Sequence, residues 1–446
     1  MSRQPAADLH ARLAGARQPV HTVYGGAHLF RADTARRLGE RAQAVLAEHA
    51  PDGASLAAAL AAAPAAAPAA APASTPGRPP EAAGEAELAE RVYARVVEKL
   101  RVEPVEDFRI DFEDGYGPRP DEEEDGHARS AAREVARGHA EGTLPPFVGL
   151  RIKPLTAELG PRSLRTLELF VTTLVEETGG ELPAGFVVTL PKVNQPSEVE
   201  ILVDALEGLE ERMGLAGRSS AGPVLPLELM VETPSSVFTA DGSVALPALV
   251  AAAGGRCRGA HLGTYDYTAS LGITAAEQRM DHPVCDFAKH VMQVALAETG
   301  VWLSDGATNV LPVGPRDTVH AAWRLHARHV RHSLVGGFYQ GWDLHPAQLP
   351  SRFATVYRFF LEAAAAAGER LRGFVEQAAR ATLSGDVFDD AATGQGLLNF
   401  FLRATACGAL DAEEARRLSG LTPGELAGRS FPAILAARRS GAPGAP

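Results

Sequence analysis

The feature that most constrains this chain is a repeat, made eight times, of a short apolar run followed by an amphipathic helical pattern. Strand character falls at 21–29, 108–112, 147–152, 185–190, 225–231, 259–263, 301–304 and 336–342, and helical periodicity at 33–50, 122–141, 161–177, 196–213, 245–253, 283–299, 316–332 and 346–366. Runs such as FVVTL and LELMV are apolar almost without alternation. That pattern belongs to strands buried on both faces, as in a parallel sheet covered by helices. Eight β/α repeats predict an α/β fold of the (β/α)8 (TIM) barrel type. An open, doubly wound sheet is the alternative, and it fits less well because the Gly25–Gly26 pair lacks the glycine spacing of a phosphate-binding turn.

The repeats divide the chain into a barrel domain over 1–366 and a helical C-terminal extension or lid over 367–446. The extension has helical patterns near 370–382, 394–407 and 412–418 and no strand. A low-complexity Ala/Pro insertion interrupts the barrel domain at 51–84. Within it, at 57–80, recurrent prolines block a continuous helix and predict a solvated linker.

Of the 446 residues, 46% are apolar, enough for a large core, and 43 Lys+Arg against 55 Asp+Glu give a net charge of −12. Without a basic patch, that balance argues against nucleic-acid and membrane-surface partners. Cys257, Cys285 and Cys407 are too far apart for a zinc or disulfide framework. Residues 1–20 carry Arg3, Asp8, Arg12 and Arg17 and no apolar stretch of a secretory signal, and no long apolar run avoids Pro or charge. The expected location is the cytoplasm.

In a barrel of this type, chemistry gathers at the C-terminal ends of the strands. Those ends carry Glu113 and Asp114, Arg151 and Lys153, Lys192, Glu232, Asp266, and Asp343 with His345. Glu232 and Asp266 close apolar strands that would be neighbours, a two-carboxylate set suited to Mg²⁺ or Mn²⁺ with water and substrate oxygen completing the shell. Alternatively, Glu232 caps the next helix and Asp266 is a turn residue. Arg151 needs a partner, either Glu113 or Asp114 or a substrate carboxylate. Lys192 is either a salt-bridge residue at the mouth or a Schiff-base lysine. The acidic run 121–125 reads as a solvated helix N-terminus, the histidines of 320–332 as surface groups, and His345 as a turn residue or a site residue.

Several segments together resemble the citrate lyase β-subunit family, a branch of the HpcH/HpaI aldolase superfamily. RIDFEDGYGPRPDEEEDGHARSAAR (109–133) is similar to its D-LED-V…K--AR signature, GLRIKP (149–154) to its arginine strand and TLPKV (189–193) to its LPKVE strand. LELMVETP (227–234) resembles the strand carrying a metal glutamate, GTYDYTASLG (263–272) the G-(E/D)DL---LG aspartate motif, and GGFYQGWDLHPAQ (336–348) the segment that closes the barrel. The resemblance covers 108–348 in order.

It implies a Mg²⁺-dependent lyase or aldolase that makes or breaks a carbon–carbon bond beside a 2-oxo acid through an enolate, with acyl-CoA as an optional substrate. Glu232 and Asp266 become metal ligands and Arg151 the anchor of a substrate carboxylate, with Lys192 catalytic and Glu113 and Asp114 lining the substrate site. SGDVFDDAATGQG (384–396) resembles a lid segment whose aspartate reaches a neighbouring subunit, which puts an acid/base role on Asp389; an Asp-rich helix cap is the equal alternative. The family's assemblies imply a homo-oligomer, trimer or hexamer. Departures are VYGGAH after the first strand, RIKP for RVN, DFEDGYG for DLEDAV, and YDY for EDL. The competing functions are phosphoryl transfer on a phosphoenolpyruvate/pyruvate-type barrel and a catalytically inactive barrel that binds a metabolite.

Overall fold

The computed structural model describes residues 17–61, 82–217, 224–384 and 391–439. Eight parallel strands close into a barrel in the order β1 to β8: β1 His21–Gly26, β2 Asp107–Asp111, β3 Phe147–Arg151, β4 Phe186–Leu190, β5 Leu227–Val231, β6 Cys257–Leu262, β7 Trp302–Ala307 and β8 Gln340–Asp343. β8 pairs with β1 through His21 opposite Gly341, which closes the ring. Each strand overlaps one of the apolar runs in the sequence.

Alternation along each strand decides what faces the axis. Phe108 and Ile110 of β2 are buried on the outer side, and Phe112 just after it meets Phe170 of the helix Gly160–Glu177. The helix Asp121–Glu141 buries Ala128, Ala131, Ala132 and Val135, one stripe at helical spacing, and ends on Gly142 in the left-handed conformation.

The opposite parity fills the barrel with polar groups. Arg109 donates to Asp107 (2.5 Å), Glu228 (2.5 Å) and the Thr189 hydroxyl (2.9 Å). Glu228 also pairs with Arg258 (3.1 Å) and His261 (3.1 Å). All these groups are buried, and each charge in this middle layer has an opposite charge in contact.

Two compact units divide the chain. One holds the residues up to Leu46 with Leu100–Leu349; the other holds Ala47–Lys99 and the residues from Pro350 onward. This differs from a boundary after residue 366, which would cut through the single helix Leu349–Ser384. The second unit is helical. Gly53–Leu60 starts at a capping box between Asp52 and Ser55, so the linker expected at 57–80 is helical over its first four residues; 62–81 lie outside the described residues. The long helix Ala82–Val102 follows, a helix the repeat pattern did not announce. Within this unit Arg95 pairs with Glu414 (2.5 Å) and Arg358 with Glu85 (2.6 Å). No helix among the described residues is long and apolar enough to cross a membrane.

Candidate functional site

The site is built where the inward parity continues past the strand ends. Asp111 and Arg151 are register partners on β2 and β3, and their side chains form a two-point ion pair, Nε to Oδ1 at 2.7 Å and Nη2 to Oδ2 at 2.6 Å. Asp111 also accepts the N–H groups of Glu113 (2.9 Å) and Gly115 (2.7 Å). A Cβ on Gly115 would stand 2.6 Å from Asp111 Oδ2, and one on Gly26 would strike the Gly115 carbonyl oxygen. The glycines of VYGGAH and DFEDGYG therefore let two loops close onto the carboxylate that holds Arg151. Asp111, and not Glu113 or Asp114, is the principal partner of Arg151; Glu113 lies 3.2 Å and Asp114 3.7 Å from its remaining nitrogen, Nη1. The guanidinium rests over the Tyr24 ring, 4.8 Å from its centre.

Lys192 follows β4 with φ 50°, a left-handed conformation that a non-glycine residue adopts at a cost of about 1–3 kcal/mol. That turn aims its ammonium into a group of acids. Nζ bonds Glu113 and lies 3.3 Å from Asp114 and 3.3 Å from Asp266. Burial and the Glu113 contact act in opposite senses on Lys192, and the net shift is upward. Burial raises the Glu113 carboxyl, whereas Asp114, despite its own burial, is held low by its hydrogen bond to Glu113 and by Arg151 and Lys192.

Glu232 continues the inward face of β5 after Glu228 and Met230, and is 2% exposed. Its carboxylate accepts the backbone N–H of Lys192 at 2.9 Å. It caps no helix: Thr233 caps the turn Pro234–Val237. Burial pushes Glu232 up to about 7, with Asp266 adding to the rise and Arg151 and Lys192 opposing it. Room for it comes from Gly263, where a Cβ would collide with Glu232 Cγ and Oε1. Asp266 sits in the first turn of the helix Thr264–Ser270 with its side chain 42% exposed toward the mouth.

Five carboxylates, from Asp111, Glu113, Asp114, Glu232 and Asp266, thus face two cationic side chains, Arg151 and Lys192. No group of three or more His, Cys, Asp or Glu among the described residues forms a ready metal cage. The donor set nevertheless fits a divalent ion: Glu232 and Asp266 offer oxygens only, and Mg²⁺ keeps several positions for water and substrate.

Other expected roles change. Lys153 turns out of the site, donating to the Phe112 carbonyl (2.8 Å) and pairing with buried Glu124 (2.6 Å). The acidic run is only partly solvated, because Asp125 bonds Arg162 (2.5 Å) and Arg165 (3.1 Å) as Glu124 bonds Lys153. The histidine helix Arg316–Val335 is not a row of surface groups: His326 is buried against Asp343 (3.1 Å), and His329 is buried against Thr308 (2.9 Å) and pushed down to about 4 by that burial. Asp343 also accepts from His21 (2.7 Å), so it braces the barrel wall. His345 caps the turn Pro346–Gln348. Asp389 lies outside the described residues. Asp111, Tyr24, Met230 and Trp342 belong to the site and were not singled out in the sequence; counting strand parity backward from Glu113, Gly26, Glu232 and Leu344 would have found them.

Among solved structures, a citrate lyase from Burkholderia xenovorans matches with a TM-score of 0.52 at 20% identity, over 74% of this chain and 92% of that one. It shares the fold. A malate synthase from Haloferax volcanii, solved as a magnesium/glyoxylate complex, matches with a TM-score of 0.47 at 13% identity, over 93% and 98%. An HpcH/HpaI aldolase/citrate lyase family protein from Burkholderia cenocepacia matches with a TM-score of 0.39 at 14% identity, over 82% and 98%. No curated protein matches. The family described as "Domain of unknown function (DUF6986)" matches residues 7–434, and the chain belongs to it.

Proposed function

We propose that this chain is a divalent-cation-dependent carbon–carbon lyase or aldolase that makes or breaks a bond beside a 2-oxo acid, with acyl-CoA as an optional partner substrate. The observation that carries this reading is the excess of carboxylates at the mouth, with a buried glutamate that accepts the backbone N–H of Lys192. A buried carboxylate so placed would be held in its charged form by a cation. An ion held by Glu232 and Asp266, Mg²⁺ or Mn²⁺, would supply Lewis-acid polarisation of a 2-oxo acid's oxygens.

The chain's own residues supply the rest. Arg151 has Nε and Nη2 occupied by Asp111, so a substrate carboxylate would bind at Nη1 and take the place of Glu113, which lies 3.2 Å from it. Lys192 sets a positive charge beside the same oxygens. An ammonium shared among Glu113, Asp114 and Asp266 acts as an electrostatic and positioning group, and this favours it over a Schiff-base amine. Glu113 and Asp114 hold Lys192 in place and line the substrate site. The proton donor is assigned to Asp389 on motif resemblance alone, and a homo-oligomer, trimer or hexamer, accompanies that assignment.

The test is release of pyruvate, glyoxylate or oxaloacetate from a panel of hydroxy acids and hydroxyacyl-CoA esters in the presence of Mg²⁺. EDTA should stop turnover, and Glu232→Gln or Asp266→Asn should lower it about a thousandfold. Full activity in either variant overturns the site assignment. Conversion only with ATP would establish phosphoryl transfer instead, and a ligand-dependent melting shift without conversion would establish a binding protein.

A further inference from the structure

The charged side chains of the mouth follow β2 to β6. Beside them runs an apolar wall. Met230, Ala307 and Trp342 form a buried cluster inside the barrel, with Tyr24 and Tyr265 half-buried against it. The wall is continuous with the charged site. Met230 precedes Glu232 on the same face of β5 and lies 3.8 Å from Arg151 Nη1, Tyr265 precedes Asp266, and the Tyr24 ring carries the Arg151 guanidinium. Trp342 packs on Tyr24 with ring centres 4.5 Å apart. Tyr265 is pinned against the cluster, its hydroxyl donating to the Ala307 carbonyl (2.9 Å) and accepting the Asn309 N–H (2.8 Å).

The loops above this wall are apolar as well. Val310 and Leu311 after β7 and Leu344 after β8 are exposed, at 45%, 40% and 40%. In the loops after β2, β3 and β4 no large apolar side chain is exposed among the described residues. The Tyr24 hydroxyl is buried and has no hydrogen-bond partner among the described residues, which calls for a ligand oxygen or water beside it.

We propose that the substrate carries an apolar substituent, aromatic or branched aliphatic, that lies along Met230, Trp342 and Tyr265 and leaves the barrel across Val310, Leu311 and Leu344. This deepens the 2-oxo acid reading and rests on it. The carboxylate and oxo groups occupy the Arg151 side, and the substituent occupies the side lined by Met230, Ala307 and Trp342 with the two tyrosines. The aromatic replacement in YDY is the sequence counterpart of this preference.

The experiment is calorimetric titration of the full chain, with Mg²⁺ present, by pyruvate, 4-methyl-2-oxopentanoate and phenylpyruvate. At least one of the two larger acids should bind about tenfold or more tightly than pyruvate. Trp342→Ala should erase that preference; should it fail to fold, Leu311→Ser, at an exposed position, should reduce it severalfold. Equal, Mg²⁺-dependent binding of all three acids overturns the substituent and leaves the 2-oxo acid reading intact. A preference that persists unchanged without Mg²⁺ and in Glu232→Gln supports the apolar wall and overturns the metal-dependent reading. Failure of all three to bind overturns both.

Discussion

The middle layer of the barrel and its mouth are built from the same residue types with opposite results. Around Arg109, two acids meet two guanidiniums and a histidine, every partner is buried, and the charges close on one another. One turn of side chains higher, five acids share Arg151 and Lys192, one acid is pushed toward neutrality, and one lysine holds a left-handed backbone. A buried charge network stabilises a unique arrangement only when each member is paired. The Arg109 network closes within the chain, whereas at the mouth acids outnumber the cationic side chains five to two.

Removing one partner from each layer separates the two. Arg109→Leu strands Asp107 inside the barrel and leaves Glu228 to Arg258 and His261, and it should lower unfolding stability by about 3–5 kcal/mol, read by urea denaturation. A loss under about 1 kcal/mol would show that the middle layer is not the closed network its distances describe. At the mouth, Gly263→Ala should push Glu232 aside and weaken divalent-ion binding about ten- to a hundredfold, while Arg109 and its partners stay in place. Unchanged ion affinity would mean that Glu232 is not a ligand.

The eight repeats were legible because parallel strands buried on both faces are apolar runs, and the helices between them bury one stripe each. The strand ends were legible too, since charge at the end of an apolar run stands out. Asp111 was hidden one residue inside the run read at 108–112, where a charge reads as an interruption; its role appears only when β2 and β3 are set in register. Lys153 follows Arg151 at the inward spacing, yet Glu124 of the preceding helix draws it outward, a pairing across 29 residues that no local pattern carries. His326 and His329 share a helix face three residues apart, and what buries them is Asp343 and Thr308 on other elements. The helix Ala82–Val102 follows the proline-rich stretch, where composition masks the onset of an amphipathic stripe.

The comparison of the two layers comes down to whether the mouth binds a divalent ion. Titration of the EDTA-stripped full chain with Mn²⁺, followed by electron paramagnetic resonance of the free ion, measures this without reference to any substrate. One saturable site per chain is expected, lost in Glu232→Gln and in Asp266→Asn. Saturable binding that survives both substitutions, or no binding to the unaltered chain, would contradict it.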